Sequence, residues 1–488
     1  VSASGTGLNF GEWQHVNNTA TPSKSESKGW SRTVGFFGQL SWDYKSLLFL
    51  GATGRYDIVS TMPSANRGFF YPSFSASFVP TSLAAFADLG WLSYAKVRAS
   101  YAEVGQAGSY YEPYYSAVSG YSNGWYATNS ISIPYNGASA YAPGSTLYDA
   151  NLKPQNTRSY ELGLDLSFFN NRFGFEYTYS KQNVKDQIFS VPLAGSTGAS
   201  SLVTNAGRLS TDVNELVVNI VPVEAGGFRW DMHFNFMKMV NVVEELAEGV
   251  ESIFLGGFVT PQVRASVGNT YPVIYGSSFA RDDNGNILVV DDPSSPYHGM
   301  PQTGAPGIIG EVTPDFILGA NNTFTFKNIS LSSSFEWKQG GSMYSGDNGL
   351  MMYTYGVVTQ TENREETFVY DGYKPDGTPN DIVRGGPNDP GAYQTLFDNV
   401  LGDIDEAFIF DNSFIKLRDI SLKYALPTRI LNKANVSASV FARNILIWTA
   451  LPNLDPESSN GAGNAMGGFN RFSLPQTTSY GFGLDITF

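Results

Sequence analysis

Apolar and polar residues alternate along most of the chain, and this period of two constrains the fold more than any other feature. Between residues 159 and 168 every second side chain is apolar: Tyr160, Leu162, Leu164, Leu166 and Phe168. The pair Asn170-Asn171 interrupts the pattern, which then resumes from Phe173. Because successive side chains of a β-strand point to opposite faces, this segment predicts a hairpin with one apolar and one polar face. Such a hairpin fits either a soluble sandwich or a membrane barrel.

The same alternation recurs and predicts an all-β chain. Strands are predicted near residues 33–43, 46–57, 70–80, 92–105, 158–169, 172–185, 213–222, 227–241, 314–326, 328–338, 413–426, 435–447 and 477–488. A weaker strand near 6–16 brings the total to about 14. A change of phase at Arg418-Asp419 predicts a β-bulge. Residues 240–253 fit either a short helix or the frayed top of a strand followed by a loop.

The connections between these strands favour a barrel over a sandwich. Tight turns are predicted at Tyr44-Lys45, Asn170-Asn171, Gly226-Gly227 and Lys327-Asn328. Long polar connections are predicted near 106–157, 186–212, 242–313, 339–412 and 448–476. Outer-membrane barrels alternate short periplasmic turns with long extracellular loops in this way, whereas sandwiches rarely carry such loops repeatedly. An even number of strands would leave both ends of the chain on the periplasmic side.

Acidic residues on the polar faces of the strands also favour a barrel. They are Glu161, Asp165, Glu176, Asp231 and Glu336. Carboxylates are costly in a dry core but not in a water-filled lumen, so we expect them to line the lumen while the apolar face meets lipid. Phe488, the last residue of an alternating segment, resembles the aromatic signal that the outer-membrane insertion machinery reads.

The composition argues against several other classes of protein. The net charge of −14 argues against a nucleic-acid partner, which needs a basic face. The chain has no cysteine and only three widely separated histidines, which argues against thiolate metal sites and histidine-based catalysis. The sequence contains no run of about 20 apolar residues, so it predicts no transmembrane helix. We therefore predict neither an enzyme nor a resident cofactor.

An acidic segment at 281–292 superficially resembles a calcium-binding loop. A loop beginning at Asp282 would need glycine at its sixth position and glutamate at its twelfth, which are Ile287 and Pro293 here. An acidic turn is the interpretation that we prefer.

Aromatic residues in two long connections are candidates for substrate contact. Trp125 and Tyr126 lie in a tyrosine-rich stretch, and Tyr353 and Tyr355 lie in the connection at 339–412. Aromatic rings stack on sugar rings or peptide side chains while their polar edges stay hydrated. Packing among the loops, or against an extracellular partner, is the alternative.

The order of several longer motifs resembles the SusC/RagA family of TonB-dependent transporters from Bacteroidetes. These motifs are GFFGQLSWDYKSLLFLGATGRYD, GFFYPSFSASF, LSYAKVRASYAEVGQ, LKPQNTRSYELGLDLSFFNNRFGFEYTYSKQNVKDQIF, NAGRLSTDVNELVV, EVTPDFILGANNTFTFKNISLSSSFEWKQGGSMY, DNSFIKLRDISLKYALP and RNILIWTALPNLDPE. Together they cover nearly the whole chain from about residue 30. The chain departs from the family pattern at Asn214, where glycine is frequent, and at residues 58–67.

The resemblance implies a function and a set of partners. Family members form a larger plugged barrel of about 22 strands and carry a TonB box, so residues 1–488 would be the C-terminal part of the barrel. The family imports oligosaccharides or oligopeptides across the outer membrane, powered by TonB–ExbB–ExbD through the plug-bearing N-terminal part. A SusD-like lipoprotein covers the mouth, and lipid and lipopolysaccharide surround the wall. A passive porin or a structural barrel is the alternative.

Overall fold

The structure is a computed structural model that describes residues 2–11, 15–25, 30–87, 89–110, 115–118, 120–121, 131–132, 136–349, 356, 361–427, 434–460 and 467–487. Its main feature is one sheet of 14 strands. Thirteen strands, β1 to β13, form an antiparallel meander in chain order: Thr33–Tyr44, Leu48–Val59, Gly68–Phe78, Leu92–Gln106, Gln155–Phe168, Phe173–Pro192, Ser201–Ala225, Phe228–Leu246, Phe316–Phe326, Ile329–Gln339, Phe414–Ala425, Asn435–Thr449 and Ser479–Thr487. The remaining strand, Thr146–Tyr148, pairs in parallel with the start of β7.

The predicted meander and its tight turns are confirmed. The backbone is left-handed at Lys45, at Asn170 and Asn171, at Gly226 and Gly227, and at Lys327. Asparagine and glycine adopt this conformation at lower cost than other residues, so the Asn170-Asn171 and Gly226-Gly227 pairs fix where their strands reverse. The predicted bulge is also confirmed, because the pairing of β11 with β12 shifts between Leu417 and Asp419.

The weak strand predicted near 6–16 is not part of this sheet. The observed strand is Ser2–Leu8, and it pairs with Thr19–Ser25 to form a separate hairpin. The buried Asn18 closes the turn between them, because it accepts a hydrogen bond from the backbone of Phe10 and donates one back to it. Local pairing therefore removes this segment from the barrel wall.

The long connection predicted at 186–212 differs from the structure as well. Strands β6 and β7 continue through most of it, so that only residues 193–200 join them. The extension is held by an apolar cluster in which Phe189, Leu209 and Leu246 pack against Ile253 and Ala265. The same packing decides the ambiguity at 240–253, because strand β8 runs to Leu246 and a turn follows.

Three connections fold together at the end of the sheet opposite the tight turns, and we call the described residues within 247–315, 340–413 and 450–478 the cap. Its strands are Ser252–Gly257, Gln262–Ser266, Val273–Gly276 and Gly307–Glu311 in one sheet, Ser342–Ser345, Ile409–Asp411 and Phe469–Asn470 in a second, and Thr367–Phe368 with Arg384–Gly385 in a third. Its short helices are Gly346–Gly349, Ala392–Gln394, Thr395–Val400, Leu401–Asp403 and Asp405–Phe408.

The cap is a packed unit with its own apolar cores. Met300 from the first connection is buried against Leu396, Val400 and Ile404 from the second. Phe469 from the third connection is buried against Val263 and Ile274 from the first. Long connections that share cores in this way are ordered by their packing on one another.

The other elements are short. They are the strands Tyr115–Val118, Gly120–Tyr121, Ile131–Ser132 and Ala140–Pro143, the helix Ala84–Ala87 and the 3₁₀ turns Val16–Asn18, Ser64–Asn66, Pro80–Ser82 and Gly195–Thr197. Within the ranges given above, no helix has the length and apolar character needed to cross a membrane.

The two edges of the meander are open. Strand β1 pairs only with β2 and strand β13 only with β12 among the described residues, and no ladder joins β1 to β13. All twelve residues of β1 are exposed. The sheet thus presents a row of unpaired backbone groups along each edge.

Candidate functional site

Four of the five predicted acidic residues form ion pairs on the polar face. The first cluster joins strands β4, β5 and β6 around Arg98. Its guanidinium donates to Glu161 at 2.8 Å and to the Thr178 hydroxyl at 2.6 Å, and it lies 3.6 Å from Asp165. Lys96 approaches the same Asp165 at 3.4 Å. The cluster therefore balances charge across three neighbouring strands.

A glycine on the central strand makes room for this cluster. Gly163 lies directly opposite Arg98 in the ladder between β4 and β5. A Cβ atom at position 163 would stand 2.3 Å from Nε of Arg98, so any larger residue would displace the guanidinium. The absence of a side chain at Gly163 thus lets Arg98 lie across β5 and reach Thr178 on β6.

Two predicted acidic residues lie nearer the tight turns. Asp231 accepts a forked hydrogen bond from Arg229, at 2.9 and 2.7 Å, beside the Gly226-Gly227 turn. Glu176 lies opposite Asp165 in the ladder between β5 and β6. Its side chain is exposed, and it forms no ion pair with any other residue that the structure describes.

A second cluster ties the cap to the barrel wall. Glu457, in the connection between β12 and β13, accepts hydrogen bonds from Lys416 at 2.6 Å and from Arg418 at 2.5 Å. Arg418 also donates to Glu336 at 3.0 Å, and Lys416 donates to Gln476 at 3.0 Å. The Lys416 side chain is only 3% exposed, so these partners supply the hydrogen bonds that water would otherwise make.

The environment of Glu457 keeps it ionised. Burial raises the pKa of its carboxyl, but the hydrogen bonds from Arg418 and Lys416 outweigh burial and bring the pKa below its usual range. The resulting carboxylate, with its two basic partners, anchors the last connection to strand β11.

The sequence predicted Glu161, Asp165 and Glu336 in these clusters and missed their basic partners and Glu457. Lys96 and Arg98 alternate with Ala95 and Val97 along β4, so the period of two alone could have placed them on the polar face. Glu457 could not have been found in this way, because it lies in an irregular connection and reaches the wall only through the folding of the cap.

Five other predicted residues, Trp125, Tyr126, Tyr353, Tyr355 and Phe488, lie outside the residues that the structure describes. Their assigned roles remain predictions.

The segment at 281–292 forms the acidic turn that we prefer over a calcium-binding loop. Asp282 accepts hydrogen bonds from the side-chain amide of Asn286 at 2.9 Å and from the backbone of Asn286 and Asn284 at 2.8 and 2.9 Å. These hydrogen bonds, first that from the Asn286 side chain, lower the pKa of Asp282. The carboxylate is thus engaged in closing its own turn.

A large groove lies on the apolar face of the first strands. It encloses about 940 Å³, with Leu40, Trp42, Phe74, Tyr160 and Leu162 in its walls and the small residues Ala52, Ala76 and Ala99 between them. These side chains alternate with the polar ones on the same strands. The groove therefore belongs to the apolar surface of the wall and not to the polar face.

A smaller cavity of about 550 Å³ lies within the cap, where its three segments meet. The rings of Phe258, Tyr344 and Phe408 line it, together with the charged residues Asp398, Asp403 and Arg471. Burial, with a smaller contribution from Asp405, raises the pKa of Tyr344 to about 12, so its hydroxyl stays protonated near neutral pH. The sequence alone does not predict this cavity, because its lining comes from three distant segments.

Comparison with known proteins identifies the class of protein. A family model described as TonB dependent receptor-like, beta-barrel, matches residues 3–286, more than half of the chain. The chain belongs to this family of outer-membrane β-barrels. The predicted family, fold class and location in the outer membrane are thereby confirmed.

Two individual TonB-dependent receptors are similar to most of this chain. TonB-dependent receptor P26 of Formosa agariphila is 27% identical over 93% of this chain and 46% of its own length. TonB-dependent receptor SusC of Bacteroides thetaiotaomicron is 22% identical over 88% of this chain and 42% of its own length. The chain thus spans less than half the length of these two relatives.

A solved structure shares the fold. The structure titled RagAB peptide transporter superposes with a TM-score of 0.70 at 17% identity, covering 97% of this chain and 49% of that one. At this identity the likeness concerns the fold, and it agrees with the long-stranded antiparallel meander described above.

Proposed function

We propose that this chain forms the C-terminal part of the barrel wall of a SusC-like TonB-dependent importer for oligosaccharides or oligopeptides. The rest of the barrel, with the plug and TonB box, would come from the plug-bearing N-terminal part of the transporter. A SusD-like lipoprotein would cover the extracellular mouth, and TonB–ExbB–ExbD would act through the N-terminal part. The role proposed is transport and not catalysis.

The open edges of the meander are the observation that carries this proposal. Each unpaired backbone group costs roughly 2–7 kcal/mol in hydrocarbon. Strands that span a membrane therefore form closed barrels. Additional strands beside β1 and β13 would satisfy these groups. The chain spans less than half the length of the two relatives described above, which supports the same interpretation.

The polar face and the cap support a transport role. The clusters around Arg98 and Arg418 would give the barrel a hydrated inner wall, and the cap would stand over it on the extracellular side. Residues 193–200 join two strands that are longer than the roughly 9–11 residues needed to cross a bilayer, so β6 and β7 would carry the wall outward towards a lid.

Uptake by intact cells tests the proposal. Deleting the coding region in the source bacterium should abolish accumulation of a labelled oligosaccharide or oligopeptide that supports growth, and a plasmid copy should restore it. A protonophore should stop uptake by the parent strain within minutes, because TonB–ExbB–ExbD draws on the proton gradient. Uptake that requires the protein but survives the protonophore would contradict coupling to TonB and would favour a passive porin.

A further inference from the structure

The cavity in the cap combines aromatic walls with separated charges. Phe258 comes from the turn between the first two strands of the cap, Tyr344 from the second connection and Arg471 from the third. The rings of Phe258 and Tyr344 lie 6.4 Å apart, and those of Tyr344 and Phe408 lie 6.4 Å apart at 88°. Edge-to-face rings of this kind form a fixed apolar surface.

No charged group of the cavity forms an ion pair within the described part of the chain, although the buried Asp347 interacts electrostatically with Arg471 at longer range. Arg471 lies over the ring of Phe258 at 5.1 Å, and no carboxylate oxygen approaches its guanidinium within 4.0 Å. The carboxylates of Asp398 and Asp403 form neither ion pairs nor side-chain hydrogen bonds with described residues, and both residues are exposed. Most of the other arginines that the structure describes are paired with an acid, as at Arg281 with Glu406 and Arg384 with Asp389.

The lining segments are held in place independently of any ligand. Asp405, which is 8% exposed, accepts hydrogen bonds from the hydroxyl of Thr260 and from the backbone of Ser277, the latter at 2.9 Å. This joins the helical segment that carries Asp398 and Asp403 to the turn that carries Phe258. The backbone of Phe472 donates to the buried Asp347, which fixes the position of the neighbouring Arg471. A preorganised cavity loses little entropy when a ligand binds.

We infer that this cavity binds a short peptide with free termini, whose carboxylate pairs with Arg471, whose ammonium pairs with Asp398 or Asp403, and whose apolar side chain packs on Phe258, Tyr344 and Phe408. The inference rests on the proposed importer function and narrows its substrate class. Arginine recognises a carboxylate through forked hydrogen bonds, and an ammonium group is matched by carboxylates. A neutral oligosaccharide could stack on the rings but would offer no opposite charge to the exposed arginine and the two exposed acids.

Calorimetry on the complete transporter in detergent tests the inference. The ligands are Ala-Leu-Ala with free termini, its N-acetylated form, its C-amidated form and maltotriose. We expect the free peptide to bind at least about tenfold more tightly than either capped form, which is the effect of one charge-assisted hydrogen bond. Maltotriose should bind more weakly than the free peptide.

Variants assign the two ends of the peptide. Arg471→Gln should lose about tenfold in affinity for the free peptide and nearly nothing for the C-amide, because only the free carboxylate meets the guanidinium. The double variant Asp398→Asn, Asp403→Asn should likewise lose affinity for the free peptide and almost none for the N-acetylated form, because only the free ammonium meets the carboxylates. Arg364→Gln serves as the matched control, since Arg364 lies in the same cap but does not line this cavity.

Equal affinity of the parent protein for free and capped peptides would overturn the inference. So would an Arg471→Gln variant that binds the free peptide as the parent does. Tighter binding of maltotriose than of the peptide would assign the cavity to a glycan instead. None of these results affects protonophore-sensitive uptake by cells, so failure of the cavity assignment is distinguishable from failure of the importer proposal.

Discussion

Replacing Glu457 by glutamine should release the last connection from the barrel wall. The substitution removes the carboxylate that Lys416 and Arg418 share and leaves the buried Lys416 ammonium with only Gln476 as a partner. Breaking one partner of a buried ion pair costs about 3–5 kcal/mol, because the remaining charge is left uncompensated. Hydrogen exchange of residues 450–478 in the detergent-solubilised transporter should report this loss as easier local opening.

The same contact should depend on pH. The folded pKa of Glu457 is lowered from an ordinary value of 4.5, so its stabilising contribution is fully present above about that pH. It should be lost as the pH falls through the lowered folded value, and the Glu457→Gln variant should show no such loss. Hydrogen exchange of residues 450–478 should be measured in the parent and in the Glu457→Gln variant from neutral to acidic pH.

Glu224→Gln is the control for this variant. Glu224 pairs with Arg229 at 3.1 Å, but its side chain is 53% exposed, so its loss should cost no more than about 1 kcal/mol. If Glu457→Gln exchanged at the parent's rate, Glu457 would not anchor the connection.

Replacing Ile404 by alanine should loosen the cap while leaving the barrel intact. Ile404 is completely buried against Met300, Leu396 and Val400, so the substitution leaves a cavity in the core that joins the first two connections. Such changes cost about 2–5 kcal/mol. Hydrogen exchange should accelerate in residues 277–300 and 392–408 and stay unchanged in strands β9 and β10.

Ile308→Ala supplies the matched control, because the same side chain is 44% exposed at that position. This control should change the hydrogen exchange of the cap only slightly. Equal effects of the two substitutions would show that the apolar cluster around Ile404 does not hold the connections together.

The strands could be predicted from the sequence because their pattern is local. Alternation between residues 159 and 180, with the Asn170-Asn171 turn between its two halves, is sufficient to specify a hairpin and its faces. It also predicts the side of the sheet on which Glu161 and Asp165 lie, and the alternation in 328–338 does the same for Glu336. The extent of β6 and β7 could not be predicted, since Phe189 and Leu209 are held by packing against Ile253 and Ala265, which are distant in sequence.

The cap and its cavity could not be predicted for a related reason. Phe258, Tyr344 and Arg471 are separated by many residues of irregular chain, and no period relates them. Their convergence follows from burial of Phe469, Ile274 and neighbouring side chains, which is a property of the folded connections. A tyrosine-rich composition indicated aromatic binding surfaces in the long connections, but it did not indicate which of them would form a cavity.

The edges of the meander provide the most direct test of the account. The transporter should be purified from the outer membrane of its source bacterium, without overexpression of this chain alone, and its structure determined by electron cryomicroscopy. We predict further strands hydrogen-bonded to β1 and to β13, and a folded plug inside the completed barrel. Direct pairing of β1 with β13, closing a barrel from this chain alone with an empty lumen, would contradict the proposal that it is part of a larger plugged importer.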